Sequence, residues 1–149
     1  MDVLVAIDGS DESTAALERA LGVTDAMDGS VTVAYAVDPS VFDLGGSAPV
    51  SGLSDADRRL IVESVEDTER RGMDVLDDAA ALAADRGRTV ETELLYGDPV
   101  RAITGFAESE GFDAIYVGHR GLSERTERLV GSVAKGIVER TPITVTVVR

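Results

Sequence analysis

Short, uninterrupted apolar runs alternate with amphipathic helical stretches along this chain, and that alternation leaves few folds open. "VLVAI", Val3 to Ile7, is continuously apolar, as a strand covered on both faces reads. Asp8-Gly9 then makes a turn, Ser10 supplies an N-cap, and Asp11 and Glu12 suit the first turn of a helix. Ala16, Leu17, Ala20 and Leu21 keep helical spacing to about Thr24. A turn at Asp28 to Ser30 leads to a second strand, Val31 to Val37. Asp38 to Leu53 is rich in Pro, Gly and Ser and has no period; so long a loop inside a compact domain signals a functional or mobile segment.

Ser54 reads as the cap of a long amphipathic helix. Leu60, Ile61, Val65, Leu76, Ala79, Ala80 and Ala83 form its buried stripe, Gly72 kinks or splits it, and Gly87 stops it. Thr89 to Tyr96 is a third strand, nearer an edge. Asp98 as N-cap and Pro99 at the first helical position open another helix, with Ile103, Phe106 and Ala107 facing inward. Phe112 to Gly118 is the fourth strand, a helix runs from about Gly131 to Glu139, and Ile143 to Val148 closes the chain as the fifth strand. Strand–helix repetition ending on a strand predicts one α/β domain over residues 1–149, a doubly wound parallel sheet with helices on both faces. In such sheets ligands sit beyond the carboxyl ends of the strands, where the winding reverses. The segments after Ile7, Val37 and Val117 are therefore the candidate site loops.

Charge and composition exclude several functions. A net charge of −14 repels phosphate backbones and argues against general nucleic-acid binding. No apolar run approaches the roughly 20 residues of a membrane helix, and "MDVLVAID" carries no secretory signal pattern. The absence of cysteine removes disulfides and thiolate metal sites, so a cytoplasmic location is expected. Lys135 is the sole lysine beside the arginines. An acidic, lysine-poor chain suits a salty cytosol, where short-range screening relieves self-repulsion, and predicts stability that falls at low salt.

"VGHRGLSERTERLVGSVAKGI", Val117 to Ile137, is the chemically suggestive stretch. Gly118 follows a buried strand, Gly121 comes three residues later, and Gly131-Ser132 opens a helix. Glycine permits positive φ and close backbone approach. A helix start offers unpaired amides and partial positive charge, which together suit an anion. Plain turn chemistry is the alternative. No G-x-G-x-x-G follows the first strand and no G-x-x-x-x-G-K-[ST] occurs, which removes the dinucleotide fingerprint and the P-loop.

Gly118, two residues, Gly121, nine residues, then Gly131-Ser132 is similar to the nucleotide motif of the universal stress protein family. "VLVAIDGSDESTAALERAL", "GDPVRAITGFAESEGFDAIYVGHRG" and "GSVAKGIVERTPITVTVVR" resemble other parts of that family, and Asp38 to Leu53 is the poorest part of the match. The resemblance implies a five-stranded parallel sheet in the order 3-2-1-4-5 and homodimers joined through the last strand. It implies ATP or AMP laid over the first, second and fourth strands; because a net charge of −14 opposes a triphosphate, a bridging Mg²⁺ is expected with it. By position, Ala6 and Ile7 line the crevice, Asp8 lies near ribose, phosphates or metal, and Ala36 offers its backbone to adenine. Gly118, Arg120 and Gly121 meet ribose or phosphate, and Gly131, Ser132 and Val133 hold the phosphate tail. No direct metal site and no catalytic residue are assigned.

Blander roles stand beside these. Asp8 also fits an Asx turn and Ser132 a helix cap. His119, the sole histidine, reads as a loop contact rather than a ligand. Arg125 and Arg128 sit among Glu124 and Glu127, as on a solvated face. Three functions follow: a nucleotide-binding stress or signalling dimer, a slow Mg-dependent ATPase, or a ligand-free interaction dimer. The intact Gly-Ser motif argues against the third, and no general base is evident for the second.

Overall fold

The computed structural model describes residues 1–39, 55–121 and 130–149, the side chains of 55–63 excepted. Ser54, Arg125, Arg128 and the loop expected over Asp38 to Leu53, from residue 40 onward, lie outside the described residues, as do the side chains of Leu60 and Ile61. Among the described residues, nine elements alternate in the expected order: β1 (Asp2–Ala6), α1 (Asp11–Ala26), β2 (Ser30–Val37), α2 (Asp55–Asp85), β3 (Glu91–Tyr96), α3 (Pro99–Glu110), β4 (Ala114–Gly118), α4 (Ser132–Arg140) and β5 (Thr144–Val148). The strands form one parallel sheet in the order β3-β2-β1-β4-β5.

Two apolar layers follow from the period of two along each strand. Val3, Val5, Val33, Ala114 and Tyr116 face one way and pack with Ala16, Leu17 and Leu21 of α1 and Leu76, Ala79 and Ala83 of α2. Leu4, Ala6, Ala34, Ile115 and Val117 face the other way and meet Ile103 and Ala107 of α3 and Ala134 and Ile137 of α4. Leu4, Leu17, Ile115 and Ile137 are fully buried, each a gain of about 1.5–3 kcal/mol relative to exposure. The continuous apolar runs are thus explained by helices on both faces.

The capping signals work locally. Ser10 Oγ accepts from the Ser13 amide, and Asp98 accepts from the Arg101 amide at 3.1 Å. Gly111 ends α3 in the left-handed region, at φ 75°. Gly72 is a correction. Helix α2 continues through it, and a Cβ there would lie 2.6 Å from Tyr35 Cδ1 and 2.9 Å from Leu94 Cδ1. The glycine lets helix and sheet approach instead of splitting the helix. Val65, Ala80 and Phe106 are half-buried rather than fully inside.

Candidate functional site

Between β1 and β4 the winding reverses, since the chain builds β2 and β3 on one side of β1 and β4 and β5 on the other. A cleft of about 170 Å³ opens at the carboxyl ends of these strands. Ala6, Ile7 and Asp8 come from the end of β1, Ala36 from β2, and Gly118, Arg120 and Gly121 from the end of β4. Gly131, Ser132 and Val133 come from the start of α4. All ten residues singled out in the sequence therefore line one cavity.

The rim is braced by polar contacts. Asp8 Oδ1 accepts from the Ser10 amide at 2.9 Å, so the Asx turn forms. Its other carboxylate oxygen lies against Gly121, where an added Cβ would come within 2.4 Å of Oδ2. Asp8 is thus both a turn residue and part of the wall. The Asp8 amide in turn donates to Ser13 Oγ at 3.3 Å. Arg120 Nε donates to Glu12 Oε1 at 2.8 Å, with both side chains largely shielded from solvent. The hydrogen bond to Glu12's own backbone amide, then the Arg120 guanidinium, hold the Glu12 carboxyl below its usual range. Burial chiefly, with the Asp8 charge adding to it, raises the Tyr35 phenol, so that side chain stays neutral in the cleft wall.

The glycines act differently from expectation. Among the described residues, positive φ at glycine occurs at Gly9, Gly87, Gly97 and Gly111, and not at Gly118, Gly121 or Gly131. Close approach is what the site uses. At Gly118 a Cβ would meet the backbone of Glu12 at 2.8–2.9 Å, so α1 sits directly on β4 there. The Gly131 amide does not face an anion; it donates to the carbonyl of His119 and closes the loop between β4 and α4. Gly131 is the N-cap of α4 without a side-chain cap bond, and Ser132 occupies the first helical position rather than capping. The first intrahelical bond is Lys135 N–H to Gly131 C=O. The amides of Val133 and Ala134 have no acceptor one turn back within the helix, which leaves the helix start suited to an anion.

His119 lies at the end of β4. Its amide donates to Val148 C=O at 2.7 Å, its ring is buried, and Nδ1 has no hydrogen-bond partner among the described residues. Among those residues, no group of three or more His, Asp or Glu side chains could hold a metal ion. Sequence reasoning missed Ser13, Tyr35, Pro99, Ile103, Val117 and Ala134 as cavity residues. Ile103 was visible as an inward-facing residue. Nothing in its spacing showed that this core residue also lines the cleft.

A cleft at the reversal point of a 3-2-1-4-5 sheet, with an apolar floor and a helix start on its wall, defines a doubly wound α/β domain. The Universal stress protein family model matches residues 1–149, and the chain belongs to that family. It is similar to the universal stress protein YxiE of Bacillus subtilis, with 29% identity over 147 residues, covering 99% of this chain and 97% of that protein. The solved universal stress protein UspA from Lactobacillus plantarum superposes with a TM-score of 0.83 at 24% identity, over 100% of this chain and 97% of that one. A universal stress protein solved in complex with cAMP matches with a TM-score of 0.66 at 27% identity, over 100% and 97%. Among the described residues, no helix is long and apolar enough to cross a membrane.

Proposed function

We propose that this protein is an adenine-nucleotide-binding module of a stress response, working as a cytoplasmic homodimer. The observation that carries the reading is the gathering of Ala6, Ile7, Ala36, Arg120 and the first turn of α4 around one cleft. These residues fit a nucleotide: apolar side chains for a base, a carboxylate at Asp8 for ribose hydroxyls, and helix amides with a guanidinium for phosphate. The related protein that holds cAMP supports the same ligand class. ATP and AMP are both candidates. In an ATP complex Mg²⁺ would be carried by the phosphates, with Asp8 the cleft carboxylate placed to meet it.

Dimerisation through Ile143 to Val148 is supported by contrast between the two sheet edges. β3 exposes Glu91, Thr92 and Glu93, and the two glutamates discourage pairing, whereas β5 is "TVTVV" without charge and half-exposed from Val145 onward. Pairing with a second β5 across a two-fold would cover that edge.

To test binding, the protein is purified in molar salt and heat-denatured, and the supernatant is assayed for adenine nucleotide. Bound or added nucleotide at stoichiometric occupancy supports the reading, and protein that ignores ATP, AMP and cAMP sinks it. Turnover dependent on Mg²⁺ would extend the function to slow hydrolysis. Gly131→Val should abolish binding and leave the fold, because φ −63°, ψ 158° is open to valine and Gly131 lines the cleft at the start of α4.

A further inference from the structure

The cleft has two unlike walls. Ala6, Ala36, Ile103, Val117, Val133 and Ala134 line it from the core layer shared with α3 and α4. None of these carries a side-chain hydrogen-bonding group. The polar side chains among the described lining residues are those of Asp8, Ser13, Tyr35, Arg120 and Ser132. They come from the ends of β1, β2 and β4, from α1 and from the first position of α4. A ring laid against the apolar wall is therefore selected by its shape, because no side chain there can read its hydrogen-bonding edge. Such a wall discriminates by fit, and one methylene too many or too few changes binding by about 10–200-fold.

Ile103 sets the shape of that wall. The sheet contributes only methyl groups at Ala6 and Ala36, and α4 contributes Val133 and Ala134. Ile103 is the largest of the apolar side chains named above. It is 4% exposed and packs in the same layer as Ala34, Ala107 and Ile115, behind the cleft lining. A residue that both lines a cavity and fills the core is the boundary between them. Shortening it adds the vacated volume to the cavity, since the surrounding core relaxes only in part.

We propose that Ile103 is a specificity-determining residue for the base: it fixes the room against the apolar wall, so that the cleft takes a nucleotide with an unsubstituted purine ring and rejects ring-substituted ones by shape. The inference rests on the nucleotide-binding reading above. The effect of Ile103 belongs in the ratio between ligands that differ only in the ring, where a residue that merely holds the fold together would have none.

The test is isothermal titration in molar salt with AMP, 2-chloro-AMP, 8-bromo-AMP and AMP ethylated on its exocyclic amine. For the natural sequence, AMP should bind at least about tenfold more tightly than one or more of the derivatives. Ile103→Ala should recover most of that difference for the excluded derivative while AMP itself weakens. Ile137→Ala is the control: Ile137 is fully buried in the same layer and is not among the residues lining the cleft. It should lower stability and leave the ratios as they are. If circular dichroism shows Ile103→Ala to be unfolded, Ile103→Val should move the same ratio in the same direction by a smaller factor. Derivatives that all bind the natural sequence as tightly as AMP would overturn the proposal. So would ratios that stay put in the folded Ile103 variant, or that move as far in Ile137→Ala. Failure of AMP itself to bind the natural sequence would overturn the parent reading as well, so the two failures are separable.

Discussion

Replacing Gly118 by alanine tests whether the motif glycine is there for packing as well as for any ligand. The added methyl would lie 2.8 Å from the carbonyl carbon of Glu12 and 2.9 Å from its oxygen and Cβ. Two of those atoms are main chain, so a rotamer change cannot relieve the contact. Helix α1 must move off β4. Overpacking of this kind costs about 1–3 kcal/mol, offset by about 0.4–1 kcal/mol from the stiffer unfolded chain. The net loss is about 1–2 kcal/mol, or a melting temperature lower by about 3–8 °C for a domain of this size. The displacement would also disturb the Glu12–Arg120 pair without a change to either residue. Thermal unfolding followed by circular dichroism in molar salt reads the loss. A melting temperature equal to or above that of the natural sequence would refute the argument.

Other perturbations separate the remaining contributions. Gly22→Ala and Gly105→Ala, at exposed helical positions with nothing within 4 Å of the new Cβ, should each stabilise by about 0.5–1 kcal/mol, read as a higher urea midpoint. Arg88→Met removes bonds from one guanidinium to Asp25 at 2.8 Å and to the Gly29 carbonyl at 2.9 Å. Because Asp25 is mostly exposed, the expected loss is only about 1–2 kcal/mol, and a loss below a few tenths in chemical denaturation would contradict it. Glu12, whose carboxyl is held below its ordinary 4.5, contributes stability that is present above that value and lost as pH falls through the lower folded value. The stability difference between the natural sequence and Glu12→Gln should therefore shrink in acid denaturation below pH 4.5. From the net charge of −14, the unfolding midpoint should rise from dilute to molar salt; a midpoint indifferent to salt would end the high-salt reading.

The strands and helix starts were legible because their signals are local. Val3 to Ile7 could not alternate if both faces are covered, and Asp98-Pro99 allows little except a helix start. The ends were less so. Thr89 and Val90 lie outside β3, and Phe112, Asp113 and Ile143 precede their strands, because pairing with a neighbour and not propensity sets where a strand begins. Glycine proved hardest to read. The same residue serves close helix–sheet contact at Gly72 and Gly118, accommodation of Asp8 at Gly121 and a loop closure at Gly131, and only coordinates distinguish them. The ten cavity residues followed the motif, but Tyr35, Ile103 and the Glu12–Arg120 pair depend on contacts between elements far apart in sequence.

The most direct trial of the whole account is a crystal of the protein soaked with AMP. It should show the base over Ala6, Ile7 and Ala36 and the phosphate against the first turn of α4. A cleft that stays empty at millimolar AMP, or a nucleotide seated elsewhere on the molecule, would contradict it.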